Sequence, residues 1–373
     1  TLASHVLGFT GSDNQGIVGL EVYYDDLLMG ENGSINTVTN ARGIEVENMA
    51  ERRVEGTAGQ NLVTSIDINI QQYITQKALE VLEKKQAKRV CIIVMNPQNG
   101  EIYALADVPE YNLNEPFTLN YETDETVTQD MWNQMWRNYC ISDTYEPGST
   151  FKLATMLALL DDARMPVSTV YDTHNGDPVT VGPARNIRDS HRGDREIDFR
   201  RAVASSSNVY FAKAIWDRYG STGRKQEYSD FLHKELHLGQ TVGLERLGER
   251  KPSVTTDWKV PDPGVMLVKM SYGYRVRLAP IQMITFYNAI ANGGKMISPV
   301  LVRELRRGDR VEERFESRTL ASSICSRSAL REVQRCLELV CTEGTASLYF
   351  RDTARLRVAA KTGTAQITDA RSR

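Results

Sequence analysis

Glu146-Pro147-Gly148 opens onto a stretch of chain with almost no polar side. Pro147 and Gly148 break any preceding regular element. From Ser149 onward Phe151, Leu153, Met156, Leu157 and Leu160 recur at helical spacing, with Ala154 and Ala158 between them. A helix apolar nearly all round has to be buried. The chain must therefore build a core around this segment, and its 373 residues suffice for one large domain with a smaller one beside it. Ser149 falls in the first turn, where unpaired backbone N–H groups and the positive end of the helix dipole lie. Lys152, three residues on, returns to the same face. A lysine at the edge of a core tends to lose its proton, and a neutral lysine can activate a neighbouring serine. Taken alone, the common Ser-x-x-Lys pair reads rather as an N-cap serine and a snorkelling lysine, and nothing within it chooses the catalytic reading.

Two later stretches do choose. Ser205-Ser206-Ser207-Asn208 lies between two helix-like segments, and Lys361-Thr362-Gly363-Thr364 lies in an expected strand over Leu356–Ile367. Ser-x-x-Lys, Ser-x-Asn and Lys-Thr-Gly in that order resemble the penicillin-recognising serine acyltransferases. Tyr145-Glu146-Pro147-Gly148-Ser149-Thr150-Phe151-Lys152 and Lys361-Thr362-Gly363-Thr364-Ala365-Gln366 narrow the resemblance to the class B high-molecular-weight penicillin-binding proteins, of the cell-division type. The likeness runs along most of the chain, through Leu62 to Asp67 with Ile70-Gln71, Tyr272-Gly273, Ala279 to Gln282 and Ala291 to Gly294.

The resemblance implies an α+β fold: a penicillin-binding, serine β-lactamase-like transpeptidase domain, an antiparallel sheet with helical cover, over residues 61–373. A fragment of a non-catalytic pedestal would occupy residues 1–60, where Gly19 to Gly30 and Asn40-Ala41-Arg42-Gly43 resemble pedestal segments. By itself that region reads as a small α+β or β module with short strand-like pieces. In the family the Lys361 strand hairpins into further strands and a terminal helix, and a membrane anchor precedes the pedestal. The expectation is therefore a fragment lacking all of these.

Local patterns fill in the frame. Asn61–Asp67 reads as a strand and Ile68 to about Lys84 as a helix. Arg89–Asn96 and Glu101–Asp107 are apolar runs joined by the turn Pro97-Gln98-Asn99-Gly100. Met131, Trp132, Met135 and Trp136 have helical spacing, suited to core packing more than to a sugar-stacking platform. Helices are also expected over Ile197–Val203, Val209–Tyr219, Ile284–Ala291 and Ser326–Val340, and Arg303–Arg314 reads as a charged surface ribbon.

Roles follow from the resemblance. Ser149 would attack the carbonyl between two D-alanines of a peptidoglycan stem peptide, and Lys152 would take its proton. Ser206, which can donate and accept, would relay a proton to the leaving amine. Lys361 would keep Lys152 neutral by like-charge repulsion. The Asn208 amide would hold the donor peptide, Thr362 and Thr364 its terminal carboxylate, and Gly363 would let substrate approach the strand edge. The N–H groups of Ser149 and Thr364 would form the oxyanion hole, each donor worth about 3 kcal/mol in the transition state. β-Lactams would trap Ser149. A membrane glycosyltransferase is the implied partner, and the implied location is the inner membrane, single-pass, with the catalytic domain on the periplasmic side. No cofactor or metal is implied. A serine β-lactamase shares these motifs but needs a base for the deacylating water; Glu235 and Glu245 follow Asn208 without a recognisable loop of that kind. A β-lactam sensor domain is the non-enzyme alternative.

Composition excludes little else. A net charge of −3 gives no sign of a nucleic-acid partner, and no apolar run approaches the roughly 18 residues a membrane span needs. Five cysteines cannot all pair internally. Cys91, in an apolar run, reads as a buried small hydrophobe, and no pair has zinc-site spacing. His191 is the only histidine near a motif and reads as a solvated loop residue.

Overall fold

The computed structural model describes residues 1–36, 52–350 and 356–365. Its contacts group the chain into two compact units, Thr1–Cys140 with Pro299–Ser317, and Ile141–Ser298 with Arg318–Arg373.

The first unit is built on a helix laid against a hairpin. β1 (Asn61–Thr64) leads into α1 (Ile68–Lys85), whose N-cap Asp67 accepts from the N–H groups of Asn69 at 2.9 Å and Ile70 at 3.1 Å. Ile70, Ile74, Ala78 and Leu82 recur on one face, and Lys84 and Lys85 complement the dipole in the last turn. β2 (Val90–Met95) and β3 (Ile102–Val108) pair antiparallel from Val90 opposite Val108 to Met95 opposite Ile102, across the expected four-residue turn. Alternate residues Ala104, Ala106 and Val108 point to α1 and form the apolar layer with it. Between them sits one buried polar side chain. Gln71 donates through Nε2 to Leu105 O at 2.9 Å and accepts from Leu105 N at 2.8 Å, so an amide on a helix completes the hydrogen bonding of a strand.

β4 (Val302–Arg307) and β5 (Arg310–Arg314) are the charged ribbon, and β4 also pairs with β1, giving the order β5-β4-β1. Glu304 pairs with Arg306 and Arg314, and Glu101 with Arg303. α2 (Gln129–Trp136) buries Met135 and Trp136 against Phe9 and Tyr111, so the tryptophans pack in a core. Their indole N–H groups donate to the carbonyls of Phe117 and Pro116. The Gly19-to-Tyr24 segment, expected among strand-like pieces, forms a short helix at Gly19–Tyr23. Asn40-Ala41-Arg42-Gly43 lies outside the described residues.

The second unit surrounds the apolar segment as the sequence requires. A 3-10 turn at Gly148–Phe151 runs into α3 (Lys152–Leu157), continued by a wider turn at Ala158–Asp162. Every residue from Lys152 to Leu159 is wholly buried. The cover comes from α4 (Phe199–Ser205), α5 (Asn208–Ile215), α6 (Pro263–Met270), α7 (Pro280–Ala291) and α8 (Arg327–Thr342). Each start has a local cause. Asp198 caps α4 by accepting from Arg201 N, Ser207 caps α5 by accepting from Tyr210 N, and Ser326 caps α8 by accepting from Ala329 N. Pro280 stands at the first position of α7.

Over the described residues of the expected strand Leu356–Ile367, no strand is formed. The described part, Leu356–Ala365, is irregular. A strand exists through a ladder with a neighbour, and the backbone bond this segment makes runs instead from Ala360 N to Leu337 O on α8. The Lys361 segment is held by side chains and by close backbone packing.

Gln71 gives the fold its sharpest test. Gln71→Leu keeps the volume apolar and leaves a buried N–H and C=O of Leu105 without partners. The expected loss is about 2–4 kcal/mol, read as a lower midpoint in chemical denaturation with unchanged slope.

Candidate active site

Ser149 stands in the 3-10 turn that begins the buried helix, half exposed at a cleft of about 530 Å³. Asn186 to Ser190, Asn208, Lys269, Tyr272, Tyr274 and Thr364 share the walls. The turn is fixed from several sides. Tyr145 N donates to Leu278 O at 3.0 Å and Leu278 N returns the bond to Tyr145 O at 3.1 Å. Glu146 Oε1 accepts from Arg275 N at 2.9 Å, and Tyr287 Oη donates to Thr150 O at 2.8 Å. Gly273, at φ +86°, has its α-carbon so close to the turn that a β-carbon would lie 1.9 Å from Gly148 O. Gly148, at φ +55°, makes the same kind of approach to Thr364, where a β-carbon would lie 2.4 Å from Thr364 O. Two backbones thus close on the serine turn where only glycine fits.

Lys152 follows the serine by less than one turn. Its Nζ donates to Ser206 O at 2.6 Å and to Asn208 Oδ1 at 2.7 Å, and lies 3.2 Å from Ser206 Oγ. Burial pushes its pKa well below the ordinary lysine range, Lys361 pushes it the same way, and Asp189 opposes them. Ser206 ends α4 in the left-handed region at φ +58°. That conformation costs a residue with a β-carbon about 1–2 kcal/mol. It is held because Ser207 N and Ser206 N return to Ala202 O and Val203 O, and because the Ser206 carbonyl and hydroxyl both take lysine partners.

Lys361 reaches the same hydroxyl from the other side. Its Nζ donates to Ser206 Oγ at 2.7 Å and to Thr362 O at 2.9 Å. Burial lowers its pKa to about 7. Thr362 Oγ1 lies 2.6 Å from Thr345 Oγ1, which turns it into a neighbouring hydroxyl pair, while Thr364 stands in the cleft wall. Gly363 packs beside Thr150, where a β-carbon would lie 2.8 Å from Thr150 Cγ2. The structure thus brings Lys152, Ser206, Asn208 and Lys361 into one hydrogen-bonded cluster, and Asn208 also lines the cleft shared by Ser149 and Thr364. His191 is exposed.

Sequence reasoning missed Asp189. Its carboxylate accepts from Ser207 Oγ at 2.7 Å and from Val209 N at 2.8 Å, tying the cleft wall to the start of α5. Against burial and the charge of Lys361, which lower the Lys152 pKa, its charge acts to raise it. Arg188 O accepts from Asn208 Nδ2 at 3.0 Å and orients that amide. An aspartate 18 positions before a capping serine carries no local signal of this role.

As a neutral amine Lys152 has two hydrogens and a lone pair. Ser206 O and Asn208 Oδ1 take the hydrogens, which leaves the lone pair for a hydroxyl. The cluster can therefore accept a proton at Lys152 and pass one through Ser206, with a cation at Lys361 beside it.

Known proteins carry the same arrangement of sequence. Residues 90–373 match the family model of the penicillin binding protein transpeptidase domain. The chain is 29% identical over 367 residues to stage V sporulation protein D of Bacillus subtilis, covering 97% of this chain and 53% of that protein. It is 29% identical over 371 residues to the probable peptidoglycan D,D-transpeptidase PenA of Neisseria meningitidis serogroup B, covering 98% and 57%. The chain thus spans about half the length of the curated relatives it matches. Penicillin binding protein 2X of Streptococcus thermophilus superposes with a TM-score of 0.79 at 21% identity, over 100% of this chain and 54% of that one, and so shares the fold. The chain belongs to the penicillin-binding protein transpeptidase family, and within it to the class B type.

Proposed function

We propose that this chain carries the catalytic domain of a peptidoglycan D,D-transpeptidase that works through an acyl-enzyme on Ser149. The observation that carries the reading is the buried Lys152, with its lowered pKa and its Nζ within hydrogen-bond range of Ser206, which Lys361 also reaches. Ser149 Oγ attacks the carbonyl carbon of the penultimate D-alanine while its proton passes to neutral Lys152. The N–H groups of Ser149 and Thr364 receive the oxyanion. Collapse breaks the peptide bond, and the leaving amine of the terminal D-alanine takes its proton from Lys152 by way of Ser206. An amine of a second stem peptide then attacks the ester, gives up its proton along the same path, and leaves a cross-link with Ser149 restored. Lys361 holds positive charge beside Ser206. Asn208 positions the donor peptide, Thr362 and Thr364 bind its carboxylate, and Gly363 gives it room.

β-Lactams, whose strained amide takes the place of the scissile bond, acylate Ser149 in the same way. Relatives named for sporulation and for peptidoglycan transpeptidation support work on the extracytoplasmic wall. A single-pass anchor in the inner membrane with the catalytic domain on the periplasmic side, a membrane glycosyltransferase partner, and a role in division belong to this proposal. So does the boundary near residue 60 between a pedestal and the catalytic domain. Among the described residues no helix is long and apolar enough to cross a membrane. Glu235 and Glu245, the candidate bases of a β-lactamase, are not among the residues lining the Ser149 cleft.

Incubation with benzylpenicillin followed by peptide mapping tests the nucleophile. One adduct is expected, on Ser149, absent in Ser149→Ala; label at another residue overturns the assignment. Rapid loss of the adduct as hydrolysed drug would mean a β-lactamase, and persistence without transfer to an added amine would mean a sensor. Lys152→Ala is expected to slow acylation by about 10²–10⁴-fold while leaving the chain folded by circular dichroism. Equal loss of fold and acylation would assign Lys152 to the core instead.

The two lysines also set a pH profile. Lys152 acts neutral, so acylation falls as pH drops through its lowered pKa. Lys361 acts charged, so acylation falls again as pH rises through about 7. A bell is expected in the second-order acylation rate. Asp189→Asn removes the charge that raises the Lys152 pKa and moves the acid limb to lower pH. Lys361→Arg, which stays protonated, removes the alkaline limb. A flat profile would exclude both assignments.

A further inference from the structure

Outside the cleft, the described residues hold one cluster of sulfur and carboxylate in which every ligand atom lies within 4.8 Å of the others: Cys91, Asp107 and Cys140. Cys91 is on β2, directly opposite Asp107 on β3. Cys140 lies 49 positions further along the chain, in the short helix Tyr139–Ser142. Its position is fixed by three bonds that do not involve its sulfur's neighbour. Tyr139 N donates to Asp107 Oδ2 at 2.7 Å, Cys140 N donates to Asn138 Oδ1 at 3.1 Å, and Cys140 Sγ lies 3.7 Å from Ala106 O. Arg89 Nη1 stands 3.3 Å from both Asp107 oxygens, and its guanidinium lies 3.3 Å over the Tyr139 ring. Cys140 is wholly buried and Cys91 half-buried.

Both Asp107 oxygens already serve Arg89, and one also accepts from Tyr139, so the carboxylate is neutralised as a ligand. Among the described residues no fourth histidine, cysteine or carboxylate joins the three, and a structural zinc takes four. The geometry therefore points away from a metal and toward the two sulfurs themselves. We infer that Cys91 and Cys140 form a disulfide by exchange with a small-molecule or protein disulfide. The two sulfurs already lie within 4.8 Å of each other, and the bond brings them to about 2.05 Å. Nothing in the acyl-transfer reading of Ser149 is needed for this; an extracytoplasmic setting only supplies the oxidant.

The division of labour follows from exposure. The half-exposed Cys91 attacks the incoming disulfide, giving a mixed disulfide and releasing one thiol. Cys91 Sγ donates to Asp107 Oδ1 at 3.5 Å. Cys140 then attacks Cys91 Sγ and expels the second thiol. The pair loses two electrons and two protons, and the oxidant leaves as two thiols. In the free dithiol the Cys91 thiol and burial both raise the Cys140 pKa; in the mixed disulfide the burial remains, so this second step quickens with rising pH. The product ties β2 to the chain just beyond α2. The remaining cysteines, Cys325, Cys336 and Cys341, lie in the other unit and stay reduced.

The test uses the whole chain with oxidised glutathione, then denaturation, alkylation and unreduced peptide mapping. The expected product is one cross-linked peptide joining Cys91 to Cys140, lighter by two hydrogens, with the other three cysteines alkylated. Dithiothreitol reverses it. The oxidised chain should melt higher by about 5–10 °C. Cys140→Ser should stop at a glutathione adduct on Cys91. The wild-type mapping needs no variant to fold, so it decides by itself. Alkylated Cys91 and Cys140 after oxidation, a stable glutathione adduct on wild-type Cys91, pairing with any other cysteine, or stoichiometric zinc held at the site would each overturn the inference.

Discussion

An ammonium group placed inside an apolar core is the constraint on which the second unit turns. Moving such a charge out of water costs several kcal/mol even after relaxation. Lys152 begins a run of residues with no exposed surface, so the chain must either pair the charge or let it go. It offers carbonyl oxygens, from Ser206 and the Asn208 amide, and among the described residues no carboxylate within bonding range. Carbonyls suit an amine as well as an ammonium, which is why the lysine can change protonation state without losing its position. The cost of burial becomes a lowered pKa, and the lowered pKa is the chemistry.

The serine that serves this lysine is held in a conformation it would not choose. Ser206 closes α4 in the left-handed region, and Ser207 opens α5 at the next residue. One turn therefore presents a carbonyl and a hydroxyl in one direction and a helix cap in the other. Asp189 secures the cap through Ser207 and Val209. Ser149, Lys152, Ser206 and Asn208 sit on helix ends and a tight turn held by their own hydrogen bonds, so their geometry does not depend on substrate for its support.

Much of this was legible in the sequence because it is written in local rules. The apolar run after Gly148, the periodic face of the helix begun at Ile68 and the hairpin turn at Pro97 to Gly100 act over a few residues each. The three motifs named Ser149, Lys152, Ser206, Asn208 and Lys361 for the same reason. What was not legible depends on distant partners. The Lys361 segment has the β-branched and apolar pattern of a strand, yet Ala360 finds α8 rather than a ladder. Asp189 looks like any loop aspartate until the fold sets it against α5. The Gly19–Tyr23 helix has aromatic and β-branched residues that favour strands, and packing overrode that weak preference.

The amide of Gln71 has a meaning beyond the bonds it makes. A two-stranded hairpin leaves an outer flank of N–H and C=O groups on which another chain could add itself as a further strand. On β3 that flank is met at Leu105 by a side chain fixed on a helix, in a layer with no room for a visitor. The glutamine acts as a one-residue imitation of a neighbouring strand. A newly made chain that has folded this layer has already withdrawn part of its most apolar hairpin from the pairing through which sheet proteins aggregate.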